Sequence, residues 1–394
     1  MFPLGVRSRH NRRGEKPLIG PGSFIPNLLG EMPDNRQPAR PNTENTWNSG
    51  QQTAGGTGAP QQNPVQQQVP ATKPTPSKNT FSTNVPDHTI GFHQLYPPGE
   101  GGGHDAQVDI IAIHGLAENA YSAWTETKSD KLWLRDFLPQ YLLSRHNIKS
   151  RVMTFGYQSG VFTQNAYENS GRLHTFSEQL LNHLADSDRT SPDGSYRPIL
   201  FICHSLGGLV IKASLNLAFS KSYQYPGIVD STKSIMFLGT PHAGGDLAVW
   251  AGLLGRLSAG LQLNARSSDD FKTWSGTLMD LATNFVDRAP RLKITTFFET
   301  KALGDHIIVD EGSARMNLQN ERTVPLDGDH LSICKFATMN ENAASTVLKR
   351  IARTVEEIFK EAAAEKAAAE KAAEEKATEE KGHRQVAELP ATPL

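Results

Sequence analysis

Two cysteines in 394 residues, Cys203 and Cys334, are too few for a disulfide framework and fit a reducing, intracellular compartment. An excess of one charge is also lacking. Forty lysines and arginines face 41 acids, for a formal net charge of −1, so nothing pulls the chain as a whole toward nucleic acid or anionic lipid. No stretch reaches the roughly 18 consecutive apolar residues of a membrane-spanning helix. The histidines are scattered, with no C-x-x-C or H-x-x-x-H pair, so neither a metal site nor a cofactor is expected. A phosphate-cradling loop is missing too, because "GEGGGHD" reads as a flexible turn before the first core strand.

The first twenty residues, "MFPLGVRSRHNRRGEKPLIG", lack the apolar core of a secretory signal. Arg7, Arg9, Arg12 and Arg13 against Glu15 suit a mitochondrial presequence, but Pro3 and Gly5 oppose the amphipathic helix it would need. A basic tail is the simpler expectation, with the cytoplasm as compartment and mitochondrial or endoplasmic reticulum association as alternatives. Mean hydropathy is −0.45, but the polarity is concentrated at the two ends. Residues 1–85 are rich in Pro, Gly, Gln, Asn and Ser and bury too little apolar surface to offset their ordering entropy, which predicts disorder.

From about residue 89 to 361, strand-like and helix-like runs alternate, which predicts one layered α/β domain. "VDIIAI", "RVMTFGY", "RPILFICH", "KSIMFLGT", "LKITTFFET" and "ERTVPLD" read as strands. Helical spacing marks 131–146, with a kink or break at Pro139, and the stripe Leu173, Phe176, Leu180, Leu181 and Leu184. Further helices are predicted over "LGGLVIKASLNLAF" and "NAASTVLKRIARTVEEIFK". Residues 246–290 interrupt the alternation, with Leu247, Trp250, Leu253, Leu254, Leu257 and Leu261 at helical spacing. Such an insertion serves either as a cap with an apolar face or as an extra helix on the core. Residues 362–394 begin with an Ala/Glu/Lys repeat that predicts a solvent-exposed helix. The i,i+4 pairs Lys366–Glu370, Lys371–Glu375 and Lys376–Glu380 support it, whereas a coiled coil would rest on alanine seams at best.

The chemistry concentrates at "CHSLGG". A serine hydroxyl is a weak nucleophile unless a base takes its proton and a rigid turn exposes it. A strand–turn–helix elbow supplies the turn, and the helix N-terminus aims free N–H groups at a developing oxyanion. Ser205 stands at that apex. Cys203 replaces the first glycine of G-x-S-x-G and is small enough for the elbow to form with more crowding. Taken alone, the motif also reads as a plain Ser-Gly turn, but two further segments argue for chemistry. "IHGLAEN" places a loop after an early strand where the N–H of Leu116 would join that of Leu206 in an oxyanion hole. His114 in that loop reads as an orienting residue. "DGDHLSICKF" puts His330 after the last strand, the best candidate for the base in a Ser…acid…His order. Glu299, at the end of "ITTFFET", is the first choice of acid, with Asp305, Asp310 and Asp246 as alternatives. His242 of "GTPH" comes too early in that order and reads as pocket wall.

Together, "IHGLAENAYSAW", "CHSLGGLVIKASL", "FLGTPHAGG" and "DHLSICKF" resemble the serine-esterase, lipase-like branch of the α/β-hydrolases. More narrowly they resemble the serine-active-site-containing proteins and the hydrolase domains of fungal NACHT-type receptors. The resemblance implies an α/β-hydrolase fold, with a mostly parallel central sheet, helices on both faces and a helical cap insertion. It also implies a Ser-His-acid hydrolase, with Ser205, His330, Leu116 and Leu206 matching the motifs and Glu299 completing the set. The family includes proteins implicated in phospholipid remodelling, so a small-molecule or lipid ester is the expected substrate. Peripheral membrane contact and protein partners at the two polar ends are compatible with it. The alternatives are an interaction module on a hydrolase scaffold and an acyltransferase using the same acyl-enzyme.

Overall fold

The computed structural model describes residues 87–99, 102–159, 166–242, 252, 255–257, 259–261 and 268–387. The region 1–85 for which disorder is predicted lies outside them. Seven strands form one sheet: β1 (Gly91–Tyr96), β2 (Val108–Ile113), β5 (Ser150–Gly156), β6 (Ile199–His204), β7 (Thr232–Leu238), β8 (Lys293–Glu299) and β9 (Glu321–Leu326). A separate two-stranded ribbon joins β3 (Thr125–Glu126) to β4 (Lys131–Leu132). The order across the main sheet is β1-β5-β2-β6-β7-β8-β9, and every pair is parallel except β1 with β5.

β1 extends the sheet beyond the first strand read from the sequence. "GFHQLY" has no continuous apolar run because it lies at an edge, where one side of the ladder meets no strand among the described residues. Pro325 within β9 is tolerated for the same reason, since β9 is the opposite edge.

The buried strands explain themselves by period two. Ile111, Ile113, Phe201, Cys203, Ile235 and Phe237 point to one face, and Ile110, Ala112, Leu200, Ile202, Met236 and Leu238 to the other. The first face is covered by α3 (Ala166–Asp186), α4 (Leu206–Ser220) and, after the short α5 (Ile228–Ser231), by α6 (Ser268–Val286). The second is covered by α1 (Trp133–Asp136), α2 (Leu138–His146) and, beyond the short α7 (Glu311–Ala314), the first turns of α8 (Asn342–Ala387). The predicted helix over 131–146 breaks at Phe137, and Pro139 sits in the first turn of α2, where its missing N–H costs nothing.

The stretch read as a cap over 246–290 is only partly described. Leu257 and Leu261 are buried, and α6 packs against α3 and α4 through Leu278, Leu281 and Phe285 as a layer helix between β7 and β8. Leu247, Trp250, Leu253 and Leu254 lie outside the described residues. The closing helix and the Ala/Glu/Lys repeat form one continuous α8. Val347, Leu348, Ile351, Val355 and Ile358 are buried against the sheet, and residues 360–378 are exposed all round. Lys371 and Glu375 form one of the expected pairs, at 3.7 Å. No helix among the described residues is long and apolar enough to cross a membrane.

One charge hides in the apolar run of β2. Asp109 is fully buried and accepts from the guanidinium of its cross-strand neighbour Arg151, at 2.9 and 2.8 Å, and from Arg197 Nε at 3.1 Å. Arg197, also buried, donates onward to the carbonyls of Thr190 and Asp188. Removing the carboxylate would strand two guanidinium charges at the base of the sheet. Asp109→Ala is therefore expected to lower stability by about 3–5 kcal/mol, read as a shift of the urea unfolding midpoint. An unchanged midpoint would contradict this.

Candidate active site

The chain runs outward from β2 to β5 and then turns the other way from β6 to β9, so the sheet reverses direction between β2 and β6. In open α/β sheets the crevice beyond the strand ends at such a reversal receives ligands. His114 and Gly115 follow β2, and Ser205 follows β6, directly across that crevice.

Ser205 is the residue between β6 and α4 and holds φ 49° and ψ −120°. A residue with a Cβ is rarely found there, and the conformation persists only where packing enforces it. Ser205 N–H donates to the carbonyl of Leu238, and Thr240 Oγ1 donates to the carbonyl of Ser205. A Cβ at Gly207 would lie 2.3 Å from the carbonyl oxygen of Ile113 and 2.6 Å from that of His114. A Cβ at Gly208 would lie 2.3 Å from Thr240 Cγ2. Both positions must be glycine for the helix to approach this closely. Cys203, by contrast, lies flat in β6 between Ile113 and Phe237, and burial pushes its thiol well up, which leaves it a packing residue.

His330 Nε2 lies 2.9 Å from Ser205 Oγ, and His330 Nδ1 lies 2.5 Å from Glu299 Oε1. All three residues are buried, Ser205 and His330 each only 1% exposed. A carboxylate can only accept, so Nδ1 carries the proton and Nε2 offers its lone pair to the serine hydroxyl. Glu299 is itself held by two backbone donors, Ile308 N–H at 3.0 Å and Val309 N–H at 3.1 Å. The His330 loop is fixed at its base, where Asp329 Oδ1 accepts from Leu331 and Ser332 N–H and the carbonyl of Gly328 accepts from Thr300 and Lys301. Gly239, at φ 54°, passes beside the pair, and a Cβ there would lie 3.2 Å from Glu299 Oε1.

Of the acids considered from the sequence, Glu299 is the one brought to His330. Asp310 instead accepts from Ser313 N–H as the N-cap of α7, Asp305 is exposed, and Asp246 lies outside the described residues. Leu206 is the first residue of α4, so its N–H has no acceptor within the helix. Leu116 follows Gly115, whose Cβ would lie 2.9 Å from Ser205 Cβ, which sets that loop directly against the serine.

The strand order, the reversal of direction and the strained elbow decide the fold. The chain has the α/β-hydrolase fold. No protein-family model matches the chain. Among curated proteins it is similar to Protein SERAC1 of Bos taurus, 28% identical over 283 residues, covering 65% of this chain and 40% of that protein. It is likewise similar to Protein SERAC1 of Mus musculus, 26% identical over 269 residues, covering 63% and 39%. The α/β-hydrolase chain thus spans about two fifths of the length of these relatives. Among solved structures, lipase BlEst2 of Bacillus licheniformis is 17% identical with a TM-score of 0.40, over 66% of this chain and 97% of that one. The resemblance to fungal NACHT-type receptors has no counterpart among these relatives.

His114 is buried, stacks on Tyr157 at 4.3 Å and accepts from Tyr157 N–H through Nε2, while its Nδ1 faces the carbonyl of Gly115 at 2.9 Å. His242 of the "GTPH" loop is buried edge-on against Phe237, and its Nδ1 accepts from Lys212 Nζ at 2.7 Å. Burial brings that lysine down to about 7 and holds His242 well below its ordinary value.

Sequence reasoning passed over a second buried cluster. His204, next to the serine, meets Glu118 Oε2 at 2.6 Å, and Lys335 Nζ stands 3.2 Å from Glu118 Oε1, an ion pair without hydrogen-bond alignment. Each lies within one of the quoted motifs. The signal was the presence of three ionisable groups in segments otherwise destined for the interior. With Cys334, two of them bring three ligand-type atoms within 4.8 Å of one another. A cation does not fit there, because Lys335 already neutralises Glu118 and the Cys334 thiol donates to the carbonyl of Ala123 at 3.1 Å.

Burial pushes His114 down to about 4, against about 6.5 for a free imidazole. The unfolded chain therefore binds a proton there that the folded chain refuses, so this residue's contribution is intact above about pH 6.5 and lost as pH falls toward 4. The loss is on the order of 3 kcal/mol. Nitrogen NMR is expected to show a neutral, Nδ1-protonated His114 ring down to about pH 5, and a charged ring at about pH 6 would contradict this.

Proposed function

We propose that the chain is a serine hydrolase acting on a carboxylic ester through an acyl-enzyme. The observation that carries this reading is the continuous path from Ser205 Oγ through His330 to Glu299, at 2.9 and 2.5 Å. Ser205 Oγ attacks the ester carbonyl carbon while His330 Nε2 takes its proton. The carbonyl π electrons move to oxygen, and the N–H groups of Leu206 and Leu116 hold that oxyanion. Collapse breaks the bond to the alcohol oxygen, which leaves with the proton from His330. Water then attacks the acyl-serine, with His330 again taking the proton. The second collapse returns that proton to Ser205 Oγ and releases the carboxylic acid. Glu299 stays ionised throughout, fixing the tautomer and stabilising the imidazolium.

The leucine and tryptophan spacing of 247–261 supports an apolar acyl or alcohol group, with lipid or phospholipid first among substrates and membrane contact at most peripheral. The two free, buried cysteines support an intracellular setting. Hydrolysis of a short soluble ester tests the assignment of the acid. Glu299→Gln is expected to lower kcat by about 10³–10⁴-fold, as loss of an orienting carboxylate does in such triads. Asp310→Asn, which keeps an N-cap acceptor, is expected to leave kcat near wild type. The reverse ranking would refute Glu299.

A further inference from the structure

His204 faces two acceptors at once. Its Nδ1 lies 2.6 Å from Glu118 Oε2, and its Nε2 lies 2.8 Å from the backbone carbonyl of His330. A neutral imidazole has one N–H and one lone pair and can satisfy only one of them. Two protonation patterns satisfy both: an imidazolium beside a carboxylate, or a neutral ring beside a protonated carboxyl. The Lys335 ammonium, 3.2 Å from the other oxygen of Glu118, opposes a protonated carboxyl.

We propose that His204 is held as an imidazolium by Glu118 and acts as a positioning residue, pinning the base His330 through its carbonyl oxygen. The inference rests on His330 being the base. A charged donor makes a shorter and roughly twofold stronger hydrogen bond than a neutral one, which suits a loop that must hold a base to within tenths of an ångström. The same pair backs the loop on the other side of the serine. A Cβ at Gly115 would lie 2.7 Å from His204 Nδ1 and 3.2 Å from Glu118 Oε2, so the chain leading to Leu116 N–H rests on it.

The charges around the ring are consistent with this assignment. Burial opposes the charged ring, but the Glu118 carboxylate against Nδ1 outweighs it and holds His204 well above an ordinary imidazole, while Cys334, a thiol donating to the carbonyl of Ala123, stays neutral beside it. Burial likewise opposes the Glu118 anion, which His204 and Lys335 hold far below the usual carboxylate range. His114, kept neutral, adds no competing charge from the β2 side.

Nitrogen NMR of the full chain tests the charge. Both ring nitrogens of His204 are expected to be protonated from about pH 5 to about pH 8, whereas a singly protonated ring at neutral pH would overturn the imidazolium. Glu118→Gln tests the positioning role, because its amide can face a neutral ring in nearly the same place. It is expected to lower kcat for a soluble ester about tenfold with KM within about twofold, and His204→Gln combined with it is expected to add little. Unchanged kcat in Glu118→Gln would overturn positioning. The downfield Nδ1–H signal of His330 gives a readout independent of turnover. It is expected to move in Glu118→Gln, and an unmoved signal would overturn the role even if no ester were hydrolysed. Inactivity of the wild type would instead count against the hydrolase reading, leaving these spectra to judge His204.

Discussion

The backbone of Ser205 is where the structure concentrates its constraint. A φ of 49° with ψ −120° costs a residue with a Cβ about 1–3 kcal/mol. That cost is sustained because strand and helix close on the turn from both sides. The carbonyls of Ile113 and His114 leave no room for a side chain at Gly207, and Thr240 leaves none at Gly208. Hydrogen bonds from Ser205 N–H to Leu238 and from Thr240 to the serine carbonyl lock the turn to β7. The hydroxyl is thereby held at the C-terminal edge of the sheet, at the reversal between β2 and β6. His330 and Glu299 need only arrive from β9 and β8, the strands farther along that edge.

Buried charge is the second constraint, and it falls at opposite ends of the strands. At the start of β2, Asp109 with Arg151 and Arg197 ties three segments together beneath the sheet. At the other end, Glu118 with His204 and Lys335 ties the last residue of β6 to the loops after β2 and β9. Such clusters add little net stability over an apolar core, but breaking one partner is expensive. They therefore fix which loops meet. The upper cluster does so within hydrogen-bond reach of the backbone of His330.

The legible part of the sequence was the part governed by a single physical rule. Apolar runs such as "VDIIAI" and "LFICH" are buried on both faces and can be little other than central parallel strands. Ser205, Gly207 and His330 could be placed because an elbow and a chain order constrain them. Glu299 could be placed because the strand "ITTFFE" ends on it. β1 was not legible, because an edge strand carries polar residues and "GFHQLY" shows no uniform run. His204, Glu118 and Lys335 were passed over because their meeting is tertiary, across separations of 86 residues and more that no local pattern records. The role of 246–290 divided in the same way. Helical spacing was visible, but whether a helix covers a site or packs on a sheet depends on contacts, and α6 took the second course.

The central claim is that Ser205, activated by His330, is a nucleophile. The most direct test is labelling of the folded full chain with a fluorophosphonate, which reports an activated serine without knowledge of the substrate. Wild type is expected to be labelled on the peptide containing Ser205, and Ser205→Ala is expected to lose the label. Equal labelling of the two proteins, or no labelling of folded wild type, would contradict the account.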